Sequence, residues 1–238
     1  MSARFYCPDS PHHGRQRLAA DEAHHLSRVC RLGIGDIVEV FDGHGLATRS
    51  EIAAIGHGSV ELVILSVLPE RVPPLHLTLA TAVPKGERFD WLVEKATELG
   101  VERLIPITTA RSVVQPGEPK LDRLRRSIIE ASKQCRRDRL MILEAPMEWA
   151  RVVQSARPPL RFLADPEGCP VAAWPTIGRG QAATLAVGPE GGFTPEEREL
   201  AIQAGWVAIC LSVHTLRVET AGLAGCAALL ARSQEPKQ

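Results

Sequence analysis

The chain reads as an α/β protein whose larger C-terminal part is built on a parallel sheet, preceded by a small β-rich unit. Three observations predict this. From Leu75 onward, apolar strand-like runs alternate with helical patterns, as they do in parallel sheets. Before residue 70 the strand-like runs are separated by glycine-rich turns. Between the two regions, Pro69-Glu70-Arg71-Val72-Pro73-Pro74 cannot readily extend a strand or a helix. Domains are therefore expected at 1–72 and 73–238.

In the first region, Ile37–Phe41, Ala47–Ile55 and Val60–Val67 are strand candidates. Asp42-Gly43-His44-Gly45 and Gly56-His57-Gly58-Ser59 supply the turns. A helix is expected from about Ala20 to Leu32, with Asp21 and Glu22 in its first turn and Gly33 past its end. In the second region, strands are expected at Leu75–Val83, Leu104–Thr108, Leu140–Leu143, Leu160–Ala164, Ala183–Val187 and Val207–Leu211. Helices are expected at Arg88–Leu99, Leu121–Gln134, about Glu148–Ser155, Pro195–Ala204 and Glu219–Ala231. Thr194, Pro195 and Glu197 form a capping-box pattern, and Gly205 closes that helix. The tail Ser233–Gln238 is expected to fray.

Composition narrows the function. The chain has 238 residues, 45% hydrophobic and 24% charged, enough to bury a core without disulfides. Aromatics are only 4%, so the core rests on Ala, Leu, Val and Ile. Formal net charge is zero, so any affinity for nucleic acid must come from a local patch. The six cysteines are scattered singly with no C-x-x-C pair, and residues 1–20 lack a signal-peptide h-region. No run is apolar enough to span a bilayer. The expectation is a cytoplasmic protein with reduced thiols, bound to no membrane. His12-His13 and His24-His25 lack partners at ligand spacing, so no metal is expected.

Two strand-to-helix segments carry the chemistry. One is Gly188-Pro189-Glu190-Gly191-Gly192-Phe193; the other is Leu211 to Ala221, containing Leu216-Arg217-Val218-Glu219-Thr220. Both open at the carboxyl ends of strands, where α/β sheets bind ligands. The first is neither G-x-G-x-x-G nor a P-loop, so no phosphate cradle is indicated. On glycine content alone it reads as an ordinary βα turn. The helix after Arg217 and Glu219 is almost wholly apolar, which requires burial against the sheet or a partner subunit. Glu219 in its first turn is also favoured by the helix dipole alone.

Together these segments resemble the SPOUT methyltransferases, and within them the family that methylates N3 of a uridine in 16S ribosomal RNA. Lys85 to Val101 and Glu130-Ala131-Ser132-Lys133-Gln134-Cys135 are similar to that family. His25 to Val29 and Gly35-Asp36 resemble its N-terminal PUA-like domain. The resemblance implies an α/β SPOUT domain with a deep trefoil knot behind a β-rich PUA-like RNA-binding domain. It also implies S-adenosylmethionine as methyl donor, 16S rRNA in the 30S subunit as substrate, and a homodimer. The donor is expected on three loops: Leu163 and Ala164; Val187, Gly188, Pro189, Glu190, Gly191 and Gly192; and Leu211, Ser212, His214, Thr215, Leu216, Thr220 and Ala221.

As uracil N3 loses its proton, charge spreads to the flanking carbonyl oxygens. Arg217 is expected to stabilise it, while Glu219 orients Arg217 or accepts the proton. RNA contacts are expected from Arg28, Lys85, Arg88, Arg136 and Arg137. The basic stretch from Lys120 to Arg139 is open to two readings, an RNA patch or a solvated helix face. So is the face bearing Arg88, Trp91 and Lys95, which stacks a base or packs its Trp on the sheet. Two departures stand out. Ser212-Val213-His214 replaces the family's usual Gly-Pro-Arg, and Arg136-Arg137 replaces Gly-Arg, with Lys133 where Glu is usual. They keep open a second reading, a non-catalytic ribosome-assembly factor of the same fold. An α/β enzyme using a nucleotide cofactor is a third, opposed by the missing phosphate-loop signature.

Overall fold

The computed structural model describes residues 3–155 and 159–233, and the chain divides into two compact units. The first comprises Met1–Val72 together with Ile129–Leu140, the second Pro73–Ile128 with Met141–Gln238.

The first unit is a five-stranded sheet. Its strands are β1 (Arg4–Tyr6), β2 (Arg15–Ala19), β3 (Ile37–Phe41), β4 (Ala47–Gly56) and β5 (Ser59–Val67), in the order β1-β3-β4-β5-β2. All neighbours are antiparallel except β1 and β3. Buried and exposed residues alternate through much of β4, as one covered face requires. Phe5, Leu18, Leu26, Val38, Val40, Ile52 and Leu62 fill the core. β1 and β2 were not read from the sequence, the first being only three residues long and the second carrying three polar residues in five. The helix α1 (Ala20–His24) passes into a π-helical turn over His25–Val29. It ends before the expected Leu32, because Arg31 takes a left-handed conformation (φ 55°).

Segment 129–140 is tied to this sheet by charge. Arg4 pairs with Asp138, both side chains nearly fully buried, and Lys133 meets Glu22 at 2.6 Å. Arg136 meets Glu39 at 2.8 Å and Arg139 meets Glu70 at 2.6 Å.

The second unit is a seven-stranded, all-parallel sheet. Its strands are β6 (Leu75–Ala82), β7 (Arg103–Thr108), β8 (Ile142–Leu143), β9 (Met147–Glu148), β10 (Leu160–Cys169), β11 (Gln181–Val187) and β12 (Val207–Ile209). The order is β12-β10-β11-β6-β7-β8, with β9 also on β7. The central strands β6 and β11 are buried over most of their length, as expected where helices cover both faces. The helices are α2 (Arg88–Leu99), α3 (Glu118–Cys135, whose last residues belong to the first unit), α4 (Trp149–Ser155), α5 (Pro195–Gln203) and α6 (Val218–Ser233).

Three boundaries differ from the sequence reading in ways that matter. β10 does not stop at Ala164. Residues 165–168 loop outward, and Ala164 and Cys169 both pair with Ile209. β12 ends at Ile209, short of Leu211, although Cys210 N–H still donates to Cys169 O at 2.9 Å. Ser233 is the buried last residue of α6 rather than part of a frayed tail; 234–238 lie outside the described residues.

Candidate functional site

The strand order decides which loops meet. Because β12, β10 and β11 are adjacent, the loops after Ile209, Ala164 and Val187 emerge side by side at the carboxyl edge of the sheet. They enclose a recess lined by Ala164, Asp165, Pro166, Val187, Gly188, Pro189, Glu190, Gly192 and Phe193. Leu211, Ser212, His214, Thr215, Leu216, Val218 and Ala221 complete it. Measured to its open mouth, with the solvent space at the mouth included, it holds ≈ 630 Å³.

Each loop is held by identifiable contacts. The glycine loop turns at Gly192, whose N–H donates to Pro189 O at 2.8 Å and whose φ of 69° suits glycine. Phe193 then packs on Trp149, ring centroids 4.7 Å apart, and Trp149 Nε1–H donates to Glu197 O at 3.1 Å. Thr194 and Glu197 form the reciprocal cap at the start of α5. The Glu197 carboxylate also accepts from Ala110 N–H at 2.8 Å, and Arg111 donates to Gly191 O.

In the first loop, Asp165 Oδ1 accepts from Glu167 N–H at 2.8 Å and Asp165 Oδ2 binds Arg198. That hydrogen bond raises the Arg198 pKa above its ordinary value. Gly168 permits the loop's return, since a Cβ there would sit 2.4 Å from Ile209 N. In the third loop, His214 N–H donates to Ser212 Oγ at 3.1 Å. The Ser212-Val213-His214 departure thus carries its own side-chain-supported turn.

Beside this recess lies a second, lined by Lys85, Arg88, Val113, Glu190, Gly191 and Arg217. Glu190 belongs to both linings, so the two adjoin. Their charges differ. The first recess has Asp165 and Glu190 and no Lys or Arg; the second has three cations around Glu190. The second, with three cations to one carboxylate, suits an anionic ligand; the carboxylates of the first are already paired with Arg198 and Arg88.

Of the residues named from sequence for the donor, three do not line the first recess. Leu163 is fully buried in the core with Ala80, Ala186 and Trp206. Gly191 faces the second recess, and Thr220 lies on the exposed side of α6. Asp165, Pro166, Phe193 and Val218, which lie in or next to the expected loops but were not named singly, join the lining. Asp165-Pro166, directly after the strand, was the available signal, because the residue before a proline leaves the helical region. Val113 was not singled out, because the Val113-Val114 pair lies in a loop with no helical or strand periodicity.

Arg217 is exposed at the second recess. Glu219 is 6% exposed, and its ion-pair partner is Arg88 at 3.8 Å rather than Arg217. Glu219 Oε2 is buried without a hydrogen-bond partner among the described residues. Trp91 is half-exposed, so it does not pack beneath the Arg88 and Lys95 stems; Lys95 pairs with Glu94 and Glu98. Further along α6, burial pushes the Cys226 thiol well up from its ordinary value.

In the β-rich unit Arg28 is exposed, Arg136 is committed to Glu39, and Arg137 Nε–H donates to Arg139 O. Several cations of the basic stretch are paired with acids from elsewhere in sequence: Lys120 and Arg123 with Asp90, Lys133 with Glu22 and Arg139 with Glu70. Among the described residues no cluster of three His, Cys, Asp or Glu groups could hold a metal. No described helix is long and apolar enough to cross a membrane.

A parallel sheet with a recess at the carboxyl ends of its strands defines an α/β ligand-binding class, and family comparison makes it an RNA-modifying one. Residues 71–230 match an RNA methyltransferase domain and residues 18–65 an RNA methyltransferase PUA domain. The ribosomal RNA small subunit methyltransferase E of Synechocystis sp. is 34% identical, over 86% of this chain and 69% of that protein. The Mycobacterium bovis protein of the same name is 31% identical, over 91% and 87%. A crystal structure of ribosomal RNA small subunit methyltransferase E from Neisseria gonorrhoeae bound to S-adenosyl methionine superposes with a TM-score of 0.88 at 27% identity. It covers 97% of this chain and 98% of that one. The chain belongs to the ribosomal RNA small subunit methyltransferase E family.

Proposed function

We propose that this protein transfers the methyl group of S-adenosylmethionine to small-subunit ribosomal RNA, and that its acceptor is N3 of a uridine in 16S rRNA. The observation that carries this reading is the pair of adjoining recesses of unlike charge sharing Glu190. A sulfonium donor bears a positive charge, and the lining of the first recess itself contributes the carboxylates of Asp165 and Glu190 and no Lys or Arg, although Arg198 and Arg88 pair with them from outside it. Backbone groups of Gly188 and Gly192 and the apolar faces of Val187, Leu216 and Val218 would hold the adenosyl part. When bound, the donor supplies an activated methyl group.

The protein's own task is to align the acceptor and manage its proton. In this reading the second recess takes the acceptor nucleotide. Arg217, exposed there, faces the charge that develops on the uracil oxygens, and the buried Glu219 takes or holds the N3 proton. Lys85 and Arg28 contact phosphates. Domain 1–72 positions RNA and domain 73–238 carries the chemistry, with the trefoil knot the family implies. The protein works in the cytoplasm as a homodimer. The exposed small-residue face of α6 (Thr220, Ala224, Ala227 and Ala231) is compatible with a close-packed partner.

The test is methyl transfer by the purified protein from labelled S-adenosylmethionine to 30S subunits and to free 16S rRNA, with mass-spectrometric mapping of the product. A 3-methyluridine at one site is expected. Donor binding with no methyl transfer to either substrate would favour the assembly-factor reading.

A further inference from the structure

We infer that Arg88 is a positioning residue, holding the glycine-loop carboxylate of Glu190 and the buried carboxylate of Glu219 in one fixed arrangement where the two recesses meet. This rests on the methyl-transfer reading of the site. Arg88 is the first residue of α2, and its side chain folds back so that Nε–H donates to Lys85 O at 3.3 Å. That bond turns the guanidinium back toward the recess. Its Nη1 then lies 3.8 Å from Oε1 of Glu190 and 3.8 Å from Oε1 of Glu219. Both distances are ion-pair separations beyond hydrogen-bond reach, so one guanidinium is shared between two carboxylates.

Glu219 depends on this cation. It is buried on the first turn of α6, its Oε2 has no hydrogen-bond partner, and Arg88 is its ion-pair partner among the described residues. An ionised carboxylate so placed is unfavourable without a countercharge. Without Arg88 its orientation and charge would be unsupported during proton transfer. Arg217, by contrast, is exposed and has no carboxylate partner among the described ion pairs, which leaves it free for the acceptor. The two arginines at the second recess therefore divide the work. Arg217 meets the RNA, and Arg88 acts through Glu219 and Glu190.

The test compares Arg88→Gln, Arg88→Lys, Glu219→Gln and the Arg88→Gln/Glu219→Gln double variant. For each, kcat and the KM for 16S rRNA are measured, with the Kd for S-adenosylmethionine by calorimetry. Arg88→Gln is expected to lower kcat about 10- to 100-fold, in the range of a lost proton-transfer contribution. Its KM and Kd should stay within about threefold, the signature of an interaction realised in the transition state. Arg88→Lys should restore most of kcat. In the Glu219→Gln background, Arg88→Gln should cost less than about twofold more, because coupled residues are not additive. If Arg88→Gln does not fold, the charge-free Arg88→Met with and without Glu219→Gln carries the same comparison. A raised KM for RNA with unchanged kcat would make Arg88 a phosphate contact and overturn the inference. So would two effects that simply multiply. A wild-type protein that transfers no methyl group removes the functional reading itself; an active wild type with Arg88 uncoupled from Glu219 removes this inference alone.

Discussion

Arg217 and Glu219 stand two positions apart at the start of one helix, yet the fold sends them to different environments. Arg217 is exposed at the mouth of the second recess, while Glu219 is buried behind it against Arg88. The residue types and the loop were legible in the sequence, because a charged pair leading into an apolar helix is a local pattern. Their partners were not, since Arg88 belongs to a distant helix. If Arg217 stabilises charge developing on the uracil, Arg217→Ala should lower kcat at least about 100-fold, the usual cost of losing one such group. Its affinity for S-adenosylmethionine should stay near wild type, because Arg217 does not line the first recess. Steady-state kinetics and donor calorimetry on the purified variant decide this; near-normal turnover would take Arg217 out of the chemistry.

At the scale of elements, the loop after Ala164 is the most informative. Residues 165–168 leave the sheet and the strand then resumes, so Asp165 reaches the first recess while Cys169 pairs with β12. The sequence shows only a strand ending before Asp-Pro. The resumption depends on a ladder formed with a strand some forty residues later, which no local propensity encodes. Gly168 is the narrow point, its missing Cβ allowing backbone to approach backbone. Gly168→Ala is expected to displace this loop, weaken S-adenosylmethionine binding more than about tenfold and lower the Tm by several degrees, the response to a steric conflict with main chain. Calorimetry and thermal denaturation measure both, and unchanged donor affinity would show that the loop does not shape the recess. By contrast, the Thr194–Glu197 cap and the glycine after α2 were readable in advance, because both act within a single turn of helix.

For the whole molecule, a net charge of zero means that RNA affinity must come from selected surfaces. The basic stretch before residue 140 is a weaker source than it looked, since Lys120, Arg123, Lys133, Arg136 and Arg139 are paired with carboxylates. In the proposed reading phosphate contact falls to cations outside such pairs, Arg28 and Lys85 among them. Affinity for 16S rRNA should still fall with salt, by about tenfold or more between roughly 50 and 200 mM. Lys85→Ala should reduce the slope by about one contact. Filter-binding titrations across that range test both, and a flat response would exclude a phosphate-dominated interface.

The sequence by itself determined the α/β alternation, most helices and strands, the capped entry to α5 and the two loops that carry the family's residues. Each of these depends on side-chain periodicity or turn chemistry within a few residues. Only the tertiary structure decided that β12, β10 and β11 lie side by side, that Asp165 and Phe193 complete the first recess, and that Glu190 stands where two recesses of unlike charge meet. It alone decided that Glu219 answers to Arg88. Strand order and buried ion pairs are settled by the packing of segments far apart in the chain, and that information is spread over the whole fold.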